Sequence, residues 1–267
     1  SARALGMGNA YTPLVTHTDA IFYNPAGLAK HSGFTWRIID PEIGLSGLES
    51  YQDFADLGSD QGFGDTVANL TGSKVWVGAA AKSAIVAPWF ALAYYGNTDN
   101  MIQIHNPASP EIEVSTITDI GYAFAFGATV MPAFDLGMTI KRITRQGSQQ
   151  TLGSSFIGQL NGSDIQSELL YEGTGYSADL GINLTPGPVT VSFVWRDMGR
   201  TKFRTDTEGA ETPPSDEDNM LLGVGALIDA GLISISPNFE YNHINRSDVQ
   251  IGKKINLGLE IGLPLID

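Results

Sequence analysis

The chain has 267 residues, with 29 acidic against 15 basic side chains, a formal net charge of −14, 31 glycines and no cysteine. No basic cluster is available to neutralise phosphates, which leaves nucleic acid out as a partner, and the missing cysteine rules out a disulfide scaffold, a thiolate metal site and a cysteine nucleophile. A mean hydropathy of −0.01 resembles that of an ordinary soluble protein, but a chain alternating lipid-facing with lumen-facing residues averages to the same value. No charged n-region or apolar h-region precedes Ser1, so the expectation is a mature chain after signal cleavage or a cytoplasmic one.

Residues 1–33 read SARALGMGNAYTPLVTHTDAIFYNPAGLAKHSG. They are rich in small residues and keep neither a period of two nor one of 3.6, so they predict a compact irregular segment whose backbone must be satisfied by its surroundings. The small-residue run Ala4 to Ala10, the pair Asp19-Ala20 and the block Asn24-Pro25-Ala26-Gly27-Leu28, all ahead of a strand-rich remainder, resemble the N-terminal hatch of FadL-type outer-membrane proteins, whose relatives include PorV-like and TraF-like barrels. The resemblance implies an all-β fold, a transmembrane antiparallel up-and-down β-barrel (34–267) with an N-terminal plug (1–33). It also marks Asn24, Pro25, Ala26, Gly27 and Asp19 as plug or gating residues. Read without it, Asn24-Pro25 is a turn.

Phe34, Trp36 and Ile38 alternate with Thr35 and Arg37 and resume at Ile43 and Leu45, a first strand broken at Asp40-Pro41. Leu48 to Asn69 turns polar with apolar residues at helical spacing, which predicts short helices in an outer loop. The run Val75 to Tyr95 could be taken for a transmembrane helix. Lys82 would then sit mid-membrane and Pro88 would break the helix, whereas a hairpin turning at Ala87-Pro88-Trp89 avoids both costs. Asn97 to Pro110 reads as an outer loop with a short ribbon through Met101–Ile104 and Glu111–Ile117.

The clearest alternation follows. Ile120, Tyr122, Phe124, Phe126, Ala128 and Val130 share one face and Gly121, Ala123, Ala125, Gly127 and Thr129 the other; Phe134 to Lys141 repeats it. A soluble sandwich buries its bulky face and exposes polar side chains, but here the second face is mostly Gly, Ala, Thr and Asn, which suits a crowded lumen. The same dyad recurs over 176–184, 189–196, 219–228, 233–241 and 255–263. Short turns near Pro88, Pro132, Gly187 and Ala230 alternate with long polar stretches at 47–73, 97–111, 147–175 and 206–218, the pattern of short periplasmic turns and long outer loops. About ten strands are counted. The end at Leu263-Pro264-Leu265 lacks an aromatic last strand, so the expectation is either a ten-stranded barrel or a fragment of one with twelve to fourteen strands.

Little in the sequence points to chemistry. His17, His31, His105 and His243 fall in separate regions without ligand spacing, and no nucleophile elbow or phosphate loop is present, so the reading is no enzyme, no catalytic residues, no metal and no cofactor. The acidic stretch Glu208, Glu211, Asp216, Glu217 and Asp218 reads as a solvated loop. Asp135, Lys141, Asp179, Arg196, Glu240 and Glu260 are in phase with the small face and read as lumenal charges that pair with one another or with backbone amides of the plug. Arg3, His17 and Asp19 are the candidate partners on the plug side. Phe54, Phe63, Phe156, Ile157 and Leu160 are the candidate ligand contacts from outer loops. The family resemblance implies two roles at the bacterial outer membrane, passage of hydrophobic small molecules or a non-transporting scaffold for other envelope proteins, with outer-membrane lipid as a partner in either case.

Overall fold

A computed structural model describes residues 1–47, 72, 74–105, 111–153, 171–205, 211–229, 231 and 233–262. The expected outer-loop helices between Leu48 and Asn69 lie outside these residues. Strand dominates, in one antiparallel sheet of twelve strands. Ten are long: β1 (Thr35–Ser46), β2 (Lys74–Ala87), β3 (Phe90–His105), β4 (Glu111–Met131), β5 (Phe134–Gly153), β6 (Tyr171–Leu184), β7 (Val189–Arg196), β9 (Asn219–Ala226), β11 (Ser234–Tyr241) and β12 (Ile255–Gly262). Two short pieces, β8 (Phe203–Arg204) and β10 (Ile228–Asp229), pair with β6 and β11. The long strands follow one another in sequence order from β1 to β12, and the sheet is open: no pairing between β1 and β12 occurs among the described residues.

The hairpins follow the turn chemistry. β2 and β3 join through Pro88-Trp89, with Trp89 at φ 75°, and β4 and β5 through Pro132-Ala133, with Ala133 at φ 64°. The break in β1 is a bulge between Arg37 and Asp40, so it falls at Ile38-Ile39, ahead of the proline. The expected loop at 97–110 is a correction: β3 runs unbroken to His105 and β4 starts at Glu111, so the short ribbon is a continuation of the hairpin, paired from Phe90↔Phe126 to His105↔Glu111. Thr, Ile, Val and Gln in that stretch sustain a two-faced strand even where neither face is apolar.

The sheet has two unlike faces. On β4, Ile120, Tyr122, Phe124, Phe126 and Val130 are all exposed, while Ala123 and Ala125 are buried. The bulky residues therefore form no core between themselves. The core is instead the small face of the sheet covered by residues 1–33, which contain α1 (Ala2–Gly6), α2 (Ala20–Tyr23) and two 3-10 turns, His17–Asp19 and Pro25–Lys30. Tyr11, Val15, Ile21 and Leu28 are buried and cluster with Ala84, Val86, Ala91, Ala93, Ala123 and Ala125 of β2, β3 and β4. The tiny residues of the strands are needed because backbone packs against backbone. A methyl group at Gly127 would lie 2.6 Å from the Pro25 carbonyl oxygen, and one at Gly137 would overlap the Pro25-Ala26 peptide.

Candidate functional site

The N-terminal segment is the hub around which charged groups of the sheet converge. Asn24 is extended (φ −161°, ψ 102°) because Pro25 disfavours helical geometry in the residue before it. Its side-chain oxygen accepts from the Ala26 amide at 3.1 Å, capping the 3-10 turn, and its amide nitrogen donates to the Thr12 carbonyl at 3.1 Å and to Asn183 of β6 at 2.8 Å. Gly27 is closed in by the Val15 carbonyl, so any side chain there would overlap main chain.

The six charges read as lumenal are all paired, Glu240, Glu260, Asp135 and Arg196 with this segment and Lys141 and Asp179 with each other. Glu240 of β11, 1% exposed, accepts through Oε1 from the Tyr11 amide at 2.5 Å, the Thr12 amide at 2.5 Å and the Thr12 hydroxyl at 2.7 Å. Glu260 of β12 takes Arg3 at 2.7 Å, and Asp135 of β5 takes Lys30 at 3.3 Å. Lys141 lies 3.0 Å from both Asp179 and Asp197. Arg196 donates to the Tyr23 carbonyl at 3.0 Å and lies over the Tyr23 ring. Together with Lys82 to Asp19 at 3.2 Å, Phe22 against Tyr95 of β3 at 5.3 Å between ring centres, and the glycines of β4, β5, β6, β9 and β12, these contacts tie residues 1–33 to every long strand. α1 lies between the two open edges: Ser1 nitrogen is 3.0 Å from Glu42 of β1, while Arg3 reaches β12.

A second set of residues covers the small face at the opposite end of the strands. Arg145 of β5 forks onto Asp119 of β4 (2.7 Å from both Nε and Nη2) and onto Asp216 of the connection before β9 (2.7 and 3.0 Å), and it also donates to the Pro214 carbonyl at 2.9 Å. Phe203 lies beneath its guanidinium at 4.4 Å. Gly173 and Gly175 of β6 leave the room that Pro213 and Phe203 occupy. The solvated reading of the acidic stretch is therefore corrected at Asp216, which is clamped, and at half-buried Asp218, which accepts from the Trp195 indole at 3.1 Å, whereas Glu217 stays exposed, paired at the surface with Arg200 at 3.0 Å. Glu208 lies outside the described residues. Asp197, in the turn after β7, is held below the usual carboxylate range: burial alone would raise it, but the Lys141 charge and hydrogen bonds from Ser177 and Thr201 outweigh that.

Between the two covers, Phe22, Tyr23, Tyr95, Lys82, Glu42 and Arg196 line a cavity of about 310 Å³. On the outside, the exposed face is stratified. Tyr94, Tyr122, Arg142 and Tyr176 stand in one register row across β3 to β6. On one side of the row come Leu92, Phe124 and Ile140, and on the other Thr98, Thr118, Gln146 and Glu172.

Lys82, Asp119 and Arg145 escaped the sequence reading, although strand phase carried the signal. Lys82 is in step with Ala80, Ala84 and Val86, Arg145 with Lys141, and Asp119 with Gly121. The histidines need one correction: the 3-10 turns bring His17 Nδ1 to 3.1 Å from His31 Nδ1, a proximity that fourteen residues of irregular chain conceal. Burial, with the His17 charge beside it, holds His31 below its ordinary value. His105 lies 3.0 Å from Glu113. No group of three or more potential metal ligands occurs among the described residues. Phe54, Phe63, Phe156, Ile157 and Leu160 lie outside the described residues. Comparisons of the chain with protein-family models, with curated proteins and with solved structures return no match.

Proposed function

We propose that the protein is an integral outer-membrane β-barrel of the FadL type, plugged by residues 1–33, and that it serves as a non-transporting platform for other envelope proteins. The observation that carries the membrane assignment is the stratified exposed face. From Ile120 to Val130, β4 offers only large apolar residues and Ala128 outward. Ten residues of strand rise ~34 Å, which a tilt of about 40° converts to ~26 Å, the height of a bilayer's apolar band. The tyrosine row lies just inside the loop-side end of that band, as an interfacial girdle does. In water the same face would leave a dozen or more bulky side chains without a partner, a far larger patch than monomers expose.

Within that assignment, the stapled interior favours a platform. A plug that moved aside for a solute would break Glu240, Asn24, Lys30 and Arg3 contacts together, and the Arg145 clamp closes the other end. The second reading, passage of a hydrophobic small molecule, draws on the cavity beside the plug, where the rings of Phe22, Tyr23 and Tyr95 stand among the charges of Asp40, Glu42, Lys82 and Arg196 that such a guest would have to pass. Two measurements test these readings. Refolded protein should co-float with zwitterionic liposomes, and folding into a detergent-free soluble monomer would overturn the membrane assignment. Deleting residues 2–22 should lower thermal stability or abolish assembly if the platform reading is right. A deletion variant that stays folded and passes small solutes would instead establish the gate.

A further inference from the structure

Among the described residues, Arg142 is the one charged side chain on the exposed face between the hairpin ends and the tyrosine row, and no acidic side chain pairs with it. Its register neighbours are Tyr122 and Tyr176, and Tyr122 packs against Tyr94 at 5.0 Å between ring centres. A cation on the lipid side is costly at the bilayer midplane and nearly free near the interface, so its level in the row is the tolerable one. Directly beside it the exposed surface sinks into a groove of about 480 Å³, lined by Ile85, Leu92, Phe124 and Ile140 and closed at the Arg142 end by the tyrosines and Ser83. The groove exists because β2 presents Ser83 where β3 and, beyond it, β4 present Tyr94 and Tyr122.

We propose that this is a binding site for one anionic phospholipid. The headgroup phosphate pairs with the Arg142 guanidinium, the tyrosine hydroxyls donate to the remaining headgroup oxygens, and an acyl chain lies in the groove toward Leu92 and Phe124. Charge complementarity selects the occupant: an uncharged chain would leave Arg142 unpaired, and a free anion would leave the groove uncovered. The inference rests on the membrane assignment above.

The test uses the refolded full chain in detergent, titrated with phosphatidylglycerol or phosphatidylcholine, with lipid adducts counted by native mass spectrometry. Phosphatidylglycerol should be retained about fivefold better, the factor expected for one basic residue at an anionic lipid surface. Arg142→Gln should bring it to the phosphatidylcholine level, Arg142→Lys should keep part of the preference, and Lys202→Gln, in a loop, should leave it unchanged. Equal retention of the two lipids, or an Arg142→Gln variant that behaves as wild type, overturns the site. Displacement of the lipid by inorganic phosphate alone would do so too, since it would make the site one for free anions. If the wild type fails to enter zwitterionic liposomes, the membrane assignment itself has failed; insertion without lipid preference removes this site alone.

Discussion

Glu240→Ala should release the N-terminal segment from β11. The carboxylate is 1% exposed and its Oε1 is the acceptor for two main-chain amides, those of Tyr11 and Thr12, each at 2.5 Å. Truncation leaves both N–H groups buried without an acceptor. A buried donor deprived of its partner costs about 1–3 kcal/mol, so the two together predict a loss of about 2–6 kcal/mol. Glu240→Gln keeps a carbonyl oxygen at the same reach and gives up only the charge assistance, which predicts a smaller loss of about 1–3 kcal/mol. The assay is urea or thermal unfolding of the refolded protein in detergent, read beside the rate at which protease frees residues 1–33. The order wild type, Gln, Ala should hold in both measurements. A Glu240→Ala protein within about 0.5 kcal/mol of wild type, the range of an ordinary surface change, would refute the claim that this carboxylate anchors the segment.

Four further outcomes follow from the two faces and from the histidine pair. Phe124→Arg should destabilise the bilayer-inserted protein by about 2–4 kcal/mol in reversible unfolding from liposomes; a loss below about 0.5 kcal/mol would place Phe124 off the lipid face. Gly137→Ala drives a methyl group into the Pro25-Ala26 peptide and should cost roughly 1–3 kcal/mol in the same measurement. Gly96→Ala, whose added carbon meets nothing nearer than 3.7 Å, should be neutral or stabilising by up to about 1 kcal/mol. Because burial holds His31 below its ordinary value, its neutral form is the one that fits the fold. The contribution is therefore complete above the ordinary histidine range of about 6.5 and is lost as pH falls through that range toward the lowered folded value. Protease release of residues 1–33 should accelerate as pH falls below about 6.5 in wild type, and His31→Phe should flatten that dependence.

What was legible in the sequence is what a period of two carries. The alternation of Ile120 to Val130 with Gly121 to Thr129 gave the strand, its phase and the unlike character of its faces, because a single β-strand already separates them. The prolines at 88 and 132 placed two hairpins for the same local reason. Lys82, Asp119 and Arg145 could have been assigned to the packed face by that same phase. Their partners could not: Asp19 and Asp216 sit on irregular chain whose path no periodicity reports, and the Asp119–Arg145 pairing depends on the bulge between Thr129 and Met131 that shifts the β4–β5 register. The His17–His31 encounter and the hold of Glu240 on Tyr11 and Thr12 belong to this second kind, fixed by the tertiary path alone.

The irregular segment and the glycine-rich face require each other. A strand face of Gly, Ala and Thr has too little side chain to make a core against another sheet, and residues 1–33 have too little regular structure to satisfy their own amides. Laid together, backbone meets backbone at Gly127, Gly137 and Gly258, and groups the segment cannot pair internally find partners on the sheet: the Tyr11 and Thr12 amides donate to Glu240, the Asn24 side-chain amide donates to Asn183, and the Ile21 carbonyl accepts from Thr139. Bulky residues on that face would hold the segment off, and polar ones would hydrate it. The bulky residues are therefore left to the opposite face, where nothing among the described residues covers them, and it is this division on which the proposed membrane assignment rests.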